Sequence, residues 1–433
     1  MPKPLHFSAF TMITPGADGA WRDPENTRDY LSLSYWQQQA RVIEAAGFDA
    51  MFFADILGVF ETRESGIELS VRDAHVFPLA DPFVLVSALA AVTEKLGFVV
   101  TASTTYEPPF LLARRFSTLD HLTDGRIGWN IVTSYLDSAA ANFGLREQVD
   151  HTERYVRADE YIDVVEKLWL RSWDDEALRK DATSGVYADP AHVHPIDHSG
   201  KYFSVRGPHS LEPSPQRKPV FFQATASATG LSFAARHAEA VYTQGGSITQ
   251  LRDVIERLRT ASEEAGRPAP KVFAGVNIAV GRTGSEARAK AERAHQFKSE
   301  ESALAWNGID IRQYPRDTLL SALQTFGTTR PLRSVDGRLD VTIQEYIDYS
   351  RTRRSPLSAV GTPDEVVDRL IELRDEAGLD GFSISADGRP GLYEDFAEYL
   401  TPVLRERGLL AETADQPTRL RDRIRADEIA LQS

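Results

Sequence analysis

Residues Asp81–Ser134 read DPFVLVSALAAVTEKLGFVVTASTTYEPPFLLARRFSTLDHLTDGRIGWNIVTS, and the same grammar occurs in them twice. A helical pattern runs to a glycine, and a short strand rich in β-branched residues follows. The first unit turns at Gly97 into FVVTAST, the second at Gly125 into IGWNIVTS. A glycine in that place suits a helix stop. Upstream, YWQQQARVIEAAGFDAMFFAD repeats the unit after a first strand, LHFSAFTM. Downstream, a helix at Glu153–Leu170 precedes the strand KPVFFQAT. LSFAARHAEAVYTQG, LRDVIERLRTASEEAGRPAPKVFAGVNIAV and TPDEVVDRLIELRDEAGLDGFSISAD complete the series. In the last, Thr362, Pro363 and Glu365 predict a capping box with proline at the first helical position. About eight strands, each fed by a helix, predict an α/β fold, a closed parallel (β/α)8 TIM barrel rather than an open sheet.

Length alone allows two or three domains, but barrels run long as one. The expected organisation is a single barrel over residues 1–410 with long insertions at about 171–218 and 300–358. The charged tail 411–433 is expected to be a loose helix. With 49 Lys and Arg against 63 Asp and Glu, the net charge is −14. That repels phosphate backbones and anionic lipid, so no nucleic-acid or membrane role is expected, though a local pocket for one phosphate is compatible with it. The chain has no cysteine, which removes disulfides, thiolate catalysis and cysteine metal sites. MPKPLHFSAF lacks the apolar core of a signal peptide, and PFVLVSALAAV is too short to span a bilayer. A cytoplasmic protein is the expectation.

Alternate residues of a strand share a face. In the strand before Ser134, Ile127, Trp129 and Ile131 form a bulky set that suits the outer helices. Gly128, Asn130, Val132 and Ser134 then point into the barrel. A buried amide costs roughly 1–3 kcal/mol unless it is satisfied. Either a ligand with carbonyl and ring-nitrogen groups or the neighbouring backbone would satisfy Asn130. His151 and Tyr155 lie one helical turn apart at a helix start, where an anion is favoured. They read either as a phosphate grip or as residues of an ordinary cap begun by Asp150 or Thr152. Other strand ends are polar too: Asp55, then Thr101 and Ser103 with Thr104 and Thr105 beyond, then Thr225, Ser227 and Thr229 before a helix. Small hydroxyls with free amides at a helix start make a phosphate cradle. Several such ends on one barrel rim mark the side where barrel active sites lie. The rival is a metal-dependent barrel hydrolase using His192, His194 and His198, although these lie in a Pro-rich loop rather than at a strand end. Trp129 and Trp169 read as core, and Arg114–Arg115 as a solvated helix face or a phosphate contact.

These stretches, with AWRDP, AGFDAMFFAD, HTERYVRADEY, LWLRSWDDEA, HSGKYFSVRGP and PVFFQATASATG, resemble the bacterial-luciferase-like flavin monooxygenases. Within that superfamily they resemble the branch of nitrilotriacetate monooxygenase and dibenzothiophene-sulfone monooxygenase. The resemblance implies a TIM barrel with insertions and an oxygenase using reduced FMN (FMNH2). A separate NAD(P)H-dependent flavin reductase supplies that flavin. O2, activated as a peroxyflavin, then oxygenates a small organic substrate, with C–S or C–N cleavage in some cases. By position, Asp55, Thr101, Asn130, His151, Tyr155 and Ser227 would contact FMN, with Ser103 and Thr225 beside them and no metal. Ser227, His151 and Tyr155 would hold the phosphate and ribityl end. Asn130 and Thr101 would flank the isoalloxazine as the catalytic pair. The resemblance also implies a homodimer or homotetramer, and water exclusion predicts a lid, best supplied by 300–358. A deazaflavin-dependent reductase and a non-catalytic flavin-binding protein share the fold. The chain departs from the family at Thr225, where QATAS replaces a glycine-bearing loop. It has no histidine in FTMITPGADGAW, and ELSVRDAHVFPLADP is atypical at Arg72–His75, near the expected substrate mouth.

Overall fold

The computed structural model describes residues 3–425 apart from 244–245, 329–331, 333–334, 336, 353–354 and 387–388. Eight parallel strands close a barrel: β1 (His6–Thr11), β2 (Ala50–Phe53), β3 (Gly97–Ser103), β4 (Ile127–Val132), β5 (Val220–Ala224), β6 (Ala240–Thr243), β7 (Lys271–Gly275) and β8 (Gly381–Ser385). β1 seals the ring by pairing on both edges, His6 with Gly381 and Ser8 with Ala50. Around it run α1 (Leu33–Ala45), α2 (Pro82–Ala90), α3 (Pro109–Leu122), α4 (His151–Arg171), α5 (Ala228–His237), α6 (Ile248–Glu264) and α7 (Pro363–Ala377). The capping box at Thr362 and Glu365 is present.

The alternation predicted for β4 holds. Trp129 is fully buried outside the sheet among Phe116, Tyr161, Trp169 and Phe221. Inside, Phe52, Phe222, Tyr242 and Phe273 fill the lower barrel, and the Tyr242 hydroxyl donates to Ser8 Oγ at 2.7 Å. Gly128 makes room for them, because a Cβ there would lie 2.8 Å from Phe222 Cε2. Above this aromatic floor the barrel interior opens to polar side chains at the C-terminal rim.

Two segments differ from expectation. KVFAGVNIAV is not one strand: β7 ends at Gly275, and Asn277–Val280 leaves the barrel to pair with Ser358–Gly361. Val276 N–H still bonds Ser383 O, while Asn277 N–H turns to Leu357 O, so the split follows from a remote partner. Nor is the tail loose over its described part. A short helix, α8 (Leu420–Ile424), plugs the barrel floor with Leu420 and Ile424 buried among Ala50, Val99 and Val220. Its charges are used: Arg423 donates to Asp49 O at 2.9 Å, and Arg421 pairs with Glu239 at 2.7 Å.

Within 171–218 the chain forms two small hairpins. The segment 300–358 has short helical turns around an apolar cluster of its own, including Leu304, Ile309, Leu320, Val341 and Ile347. Buried carboxylates tie it to the β2 side of the mouth. Asp73 accepts from Arg22 at 2.8 Å and Ser302 at 2.7 Å, and also from Ser299. Asp310 accepts from Ser65 at 2.7 Å.

Candidate active site

β3 and β4 are in register at Thr101 and Asn130, and their side chains meet inside the barrel. The Thr101 hydroxyl donates to Phe53 O at 2.7 Å, and Asn130 Nδ2 donates to Thr101 Oγ1 at 2.8 Å. Both residues are buried. Asn130 Oδ1 has no partner among the described residues. The bond to neighbouring backbone that would have satisfied the amide is therefore not made. A buried acceptor left without a donor costs about 1–3 kcal/mol, so this atom asks for a ligand N–H or O–H. A flavin ring edge carries such donors, and the site fits it in that respect.

The next hydroxyls are more self-contained. Ser103 Oγ lies 2.9 Å from Ser134 Oγ, and Thr105 N–H donates to Ser103. Thr104 and Thr105 donate to Val132 O and Thr133 O, so they fix the loop ends. Asp55 follows β2, accepts from Ile56 N–H, and has its carboxyl pushed up to about 7 by burial, with Asp81 and Glu107 adding like charge.

Beside β4 stands β5, with Asn130 opposite Phe222. Here the second group assembles. Asp150 caps α4 by accepting from Thr152 and Glu153 N–H. The His151 ring meets Tyr155 edge-on at 5.2 Å, and Tyr155 meets Phe233 of α5 at 5.5 Å. Burial raises the Tyr155 pKa against hydrogen bonding with Ser227, Thr225 and Gln223, so its hydroxyl stays a donor. Ser227 caps α5 by accepting from Gly230 N–H at 3.1 Å, while Ala226, Ser227 and Ala228 remain exposed. A Cβ on Gly230 would collide with Thr225 Oγ1, so the threonine in place of glycine tightens this loop as its size suggests. A helix start with open amides, a phenol and an imidazole is a cradle for an anion such as phosphate.

The structure thus gathers Thr101 with Asn130, Ser103 with Ser134, and His151, Tyr155, Thr225 and Ser227, all on the C-terminal rim. Sequence reading missed Arg154 and Gln223. Arg154 is buried, donates to Ser134 O, and has Nε unpartnered among the described residues; burial lowers its pKa. The available signal was its place in the apolar stripe of Ala158, Tyr161 and Val165. Gln223 Oε1 is buried and likewise unpartnered. A separate cavity of about 570 Å³ opens beside the rim, lined by Glu107, Phe110, Arg157, Phe203 and Arg206 among others.

The histidine loop does not converge as a metal site. His192 Nδ1 and His194 Nε2 share Asp174 Oδ2 at 3.0 Å each, and His198 Nε2 pairs with Glu160 at 3.2 Å. Among the described residues no group of three His, Asp or Glu is placed to hold a metal ion, which disfavours the hydrolase alternative. No described helix is long and apolar enough to cross a membrane.

Comparison with known proteins identifies the family. The model of the family described as luciferase-like monooxygenase matches residues 8–381. A long-chain alkane monooxygenase of Geobacillus thermodenitrificans (strain NG80-2) is 42% identical, over 94% of this chain and 91% of its own. A dimethyl-sulfide monooxygenase of Hyphomicrobium sulfonivorans is 41% identical, over 98% of this chain and 91% of its own. The crystal structure of a long-chain alkane monooxygenase superposes with a TM-score of 0.88 at 40% identity, covering 98% of this chain and 96% of that one. The branch suggested by the sequence ranks behind these: the Rhodococcus erythropolis dibenzothiophene-sulfone monooxygenase is 35% identical, over 94% of this chain and 93% of its own. The chain belongs to the luciferase-like monooxygenases, and it is an FMN- and O2-using oxygenase of that family.

Proposed function

We propose that this protein is the oxygenase half of a two-component system, receiving reduced FMN from a separate NAD(P)H:flavin reductase and inserting one oxygen atom into a small organic substrate. The observation that carries the reading is Asn130 Oδ1, buried and unpartnered on the same rim as the Ser227 cradle. When bound, reduced FMN supplies the electrons and the ring that let O2 deliver one atom to substrate and one to water.

Around that group the chain has definite tasks. Ser227 and the amides after it, with Tyr155 and His151, take the phosphate and ribityl end. Asn130 and Thr101 flank the ring, Asn130 by accepting a ring N–H. Thr101 fixes the Asn130 amide, since its own proton is committed to Phe53 O. Ser103 and Thr225 shape the two loops, and Asp55 borders the pocket from β2. The aromatic floor and the 300–358 insertion, acting as a lid, keep out water that would divert the reaction to hydrogen peroxide.

We place the protein in the cytoplasm as a homodimer or homotetramer, and carry the kinship with the nitrilotriacetate and dibenzothiophene-sulfone branch as one of mechanism rather than of substrate. Anaerobic titration with reduced FMN, oxidised FMN and a deazaflavin tests the reading. Reduced FMN is expected to bind at least about tenfold more tightly than the others, a difference of about 1.4 kcal/mol. Preference for the deazaflavin, or no oxygen transfer to any sulfide, sulfone, alkane or amine under reductase-fed turnover, would overturn it.

A further inference from the structure

The cavity beside Arg157 and Arg206 lies apart from the Ser227 cradle. Along α4, Tyr155 meets Phe233 of α5. Arg157, two residues on, stands about 200° further round the helix and reaches the loop after β3, where its Nη2 lies 3.5 Å from Thr105 O. Three pieces of chain enclose the cavity: the turn at 106–109 that opens α3, α4 itself, and the hairpin in which His198 pairs with Val205. Each is held in place. Pro108 and Pro109 fix the backbone of the turn. Glu160 of α4 accepts from Tyr202 N–H at 3.0 Å and Phe203 N–H at 2.8 Å, and lies 3.2 Å from His198 Nε2. A volume of about 570 Å³ is ample for a small organic ligand.

The polar groups of this cavity are out of balance. Arg157 Nε is buried and has no partner among the described residues, and no described carboxylate pairs with its guanidinium. That guanidinium lies over Phe203 at 4.6 Å and Tyr202 at 5.9 Å, so stacking sets its plane and keeps water from one face. Arg206 is exposed on the same lining and likewise forms no ion pair among the described residues. Glu107 is the carboxylate on the wall, and Arg115 already takes it at 2.6 Å. Behind Phe203, the Tyr161 ring meets it edge-on at 5.4 Å, and the Tyr161 hydroxyl is buried and unpartnered among the described residues. Burial raises the pKa of that phenol, and Glu107, Arg115 and Arg157 are the charges that act on it. A buried guanidinium edge without an acceptor asks for an oxygen that carries negative charge.

The walls decide the rest of the ligand. Phe110, Phe203, Val205 and the two prolines offer an apolar lining with flat rings. A planar guanidinium fork matches a carboxylate. Free phosphate is served less well: Pro108 and Pro109 remove amide donors where α3 begins, so no helix start supplies the N–H groups a phosphate uses. On a chain of net charge −14, two arginines without carboxylate partners in one cavity are a local exception that draws an anion there.

We propose that this cavity is a second ligand site, separate from the flavin site, and that it takes a planar aromatic carboxylate, with the carboxylate on Arg157 beside Arg206 and the ring against Phe110 and Phe203. Calorimetric titration of the full chain with naphthoate tests it, with and without saturating FMN. Saturable binding is expected, changed by FMN no more than about twofold. Naphthamide, the same ring without the charge, is expected to bind at least about tenfold more weakly, and inorganic phosphate not to compete. Arg157→Gln is expected to weaken naphthoate about tenfold or more while leaving the FMN titration unchanged. Arg206→Gln, an exposed change that the fold tolerates, is expected to weaken it about threefold. Absence of saturable binding, equal affinity for naphthamide, displacement by FMN, or indifference to both arginine changes overturns the proposal. Such a failure leaves the oxygenase reading intact, because flavin binding and oxygen transfer are measured separately.

Discussion

Asn130 is held by one hydrogen bond and lacks another, and that imbalance is what a bound ring edge would repair. In the proposed site Tyr155 is assigned the complementary work at the phosphate end. Its hydroxyl is kept protonated by burial, so it donates to an anion throughout the neutral range. Tyr155→Phe is expected to weaken reduced-FMN binding about tenfold, the value of one charge-assisted hydrogen bond, with a fall in melting temperature of no more than about 2 °C from the lost contacts to Ser227, Thr225 and Gln223. Anaerobic titration measures the first and calorimetry the second. Asp55 makes a pH prediction. Its carboxyl is raised to about 7, so the folded state holds a proton that the unfolded state has released. Stability from this group is then full below about pH 4 and lost as pH rises toward 7. Asp55→Asn is expected to flatten that decline, raising the Tm of the flavin-free protein at pH 8 by about 1–3 °C and leaving it unchanged at pH 4.

The barrel strands were legible because each after the first follows a helical pattern, and in β4 a two-residue period separates bulky outer side chains from small inner ones over Ile127–Val132. The packing of the expected C-terminal helix was not. Leu420 and Ile424 are spaced by arginines that look like surface charge, and the partners that bury those arginines lie far off in sequence at Asp49, Lys95 and Glu239. The break after Gly275 was hidden for the same reason, since Leu357 O supplies the bond that draws Asn277 away. In the site, hydroxyls at strand ends were visible, but which of them are left open to a ligand was not, because Thr104 and Thr105 turn out to bond the neighbouring end of β4. Leu420 is fully buried and fills the space that Gly97 leaves at the floor. Leu420→Ala is expected to cost about 3 kcal/mol through lost burial and a cavity, read by denaturant unfolding, while FMN binding at the opposite rim stays intact.

The protein as a whole is a barrel closed below by α8 and overhung above by a long insertion, with the candidate site on the rim between them. Asp73 joins insertion to barrel. Burial alone would raise its pKa, but hydrogen bonds from Ser299 and Ser302 and the charge of Arg22 hold it below the usual range. Asp73→Asn is expected to cost about 1–3 kcal/mol, less than a fully buried pair because Arg22 is one-third exposed. It should speed protease cleavage within 300–358 and raise the share of O2 released as hydrogen peroxide. One experiment reaches every level of this arrangement: an anaerobic crystal soak with reduced FMN. The ring is expected against Asn130 and Thr101, with the phosphate on Ser227 and Tyr155. Flavin seated instead in the cavity beside Arg157 and Arg206, with Asn130 Oδ1 still unpartnered, would contradict it.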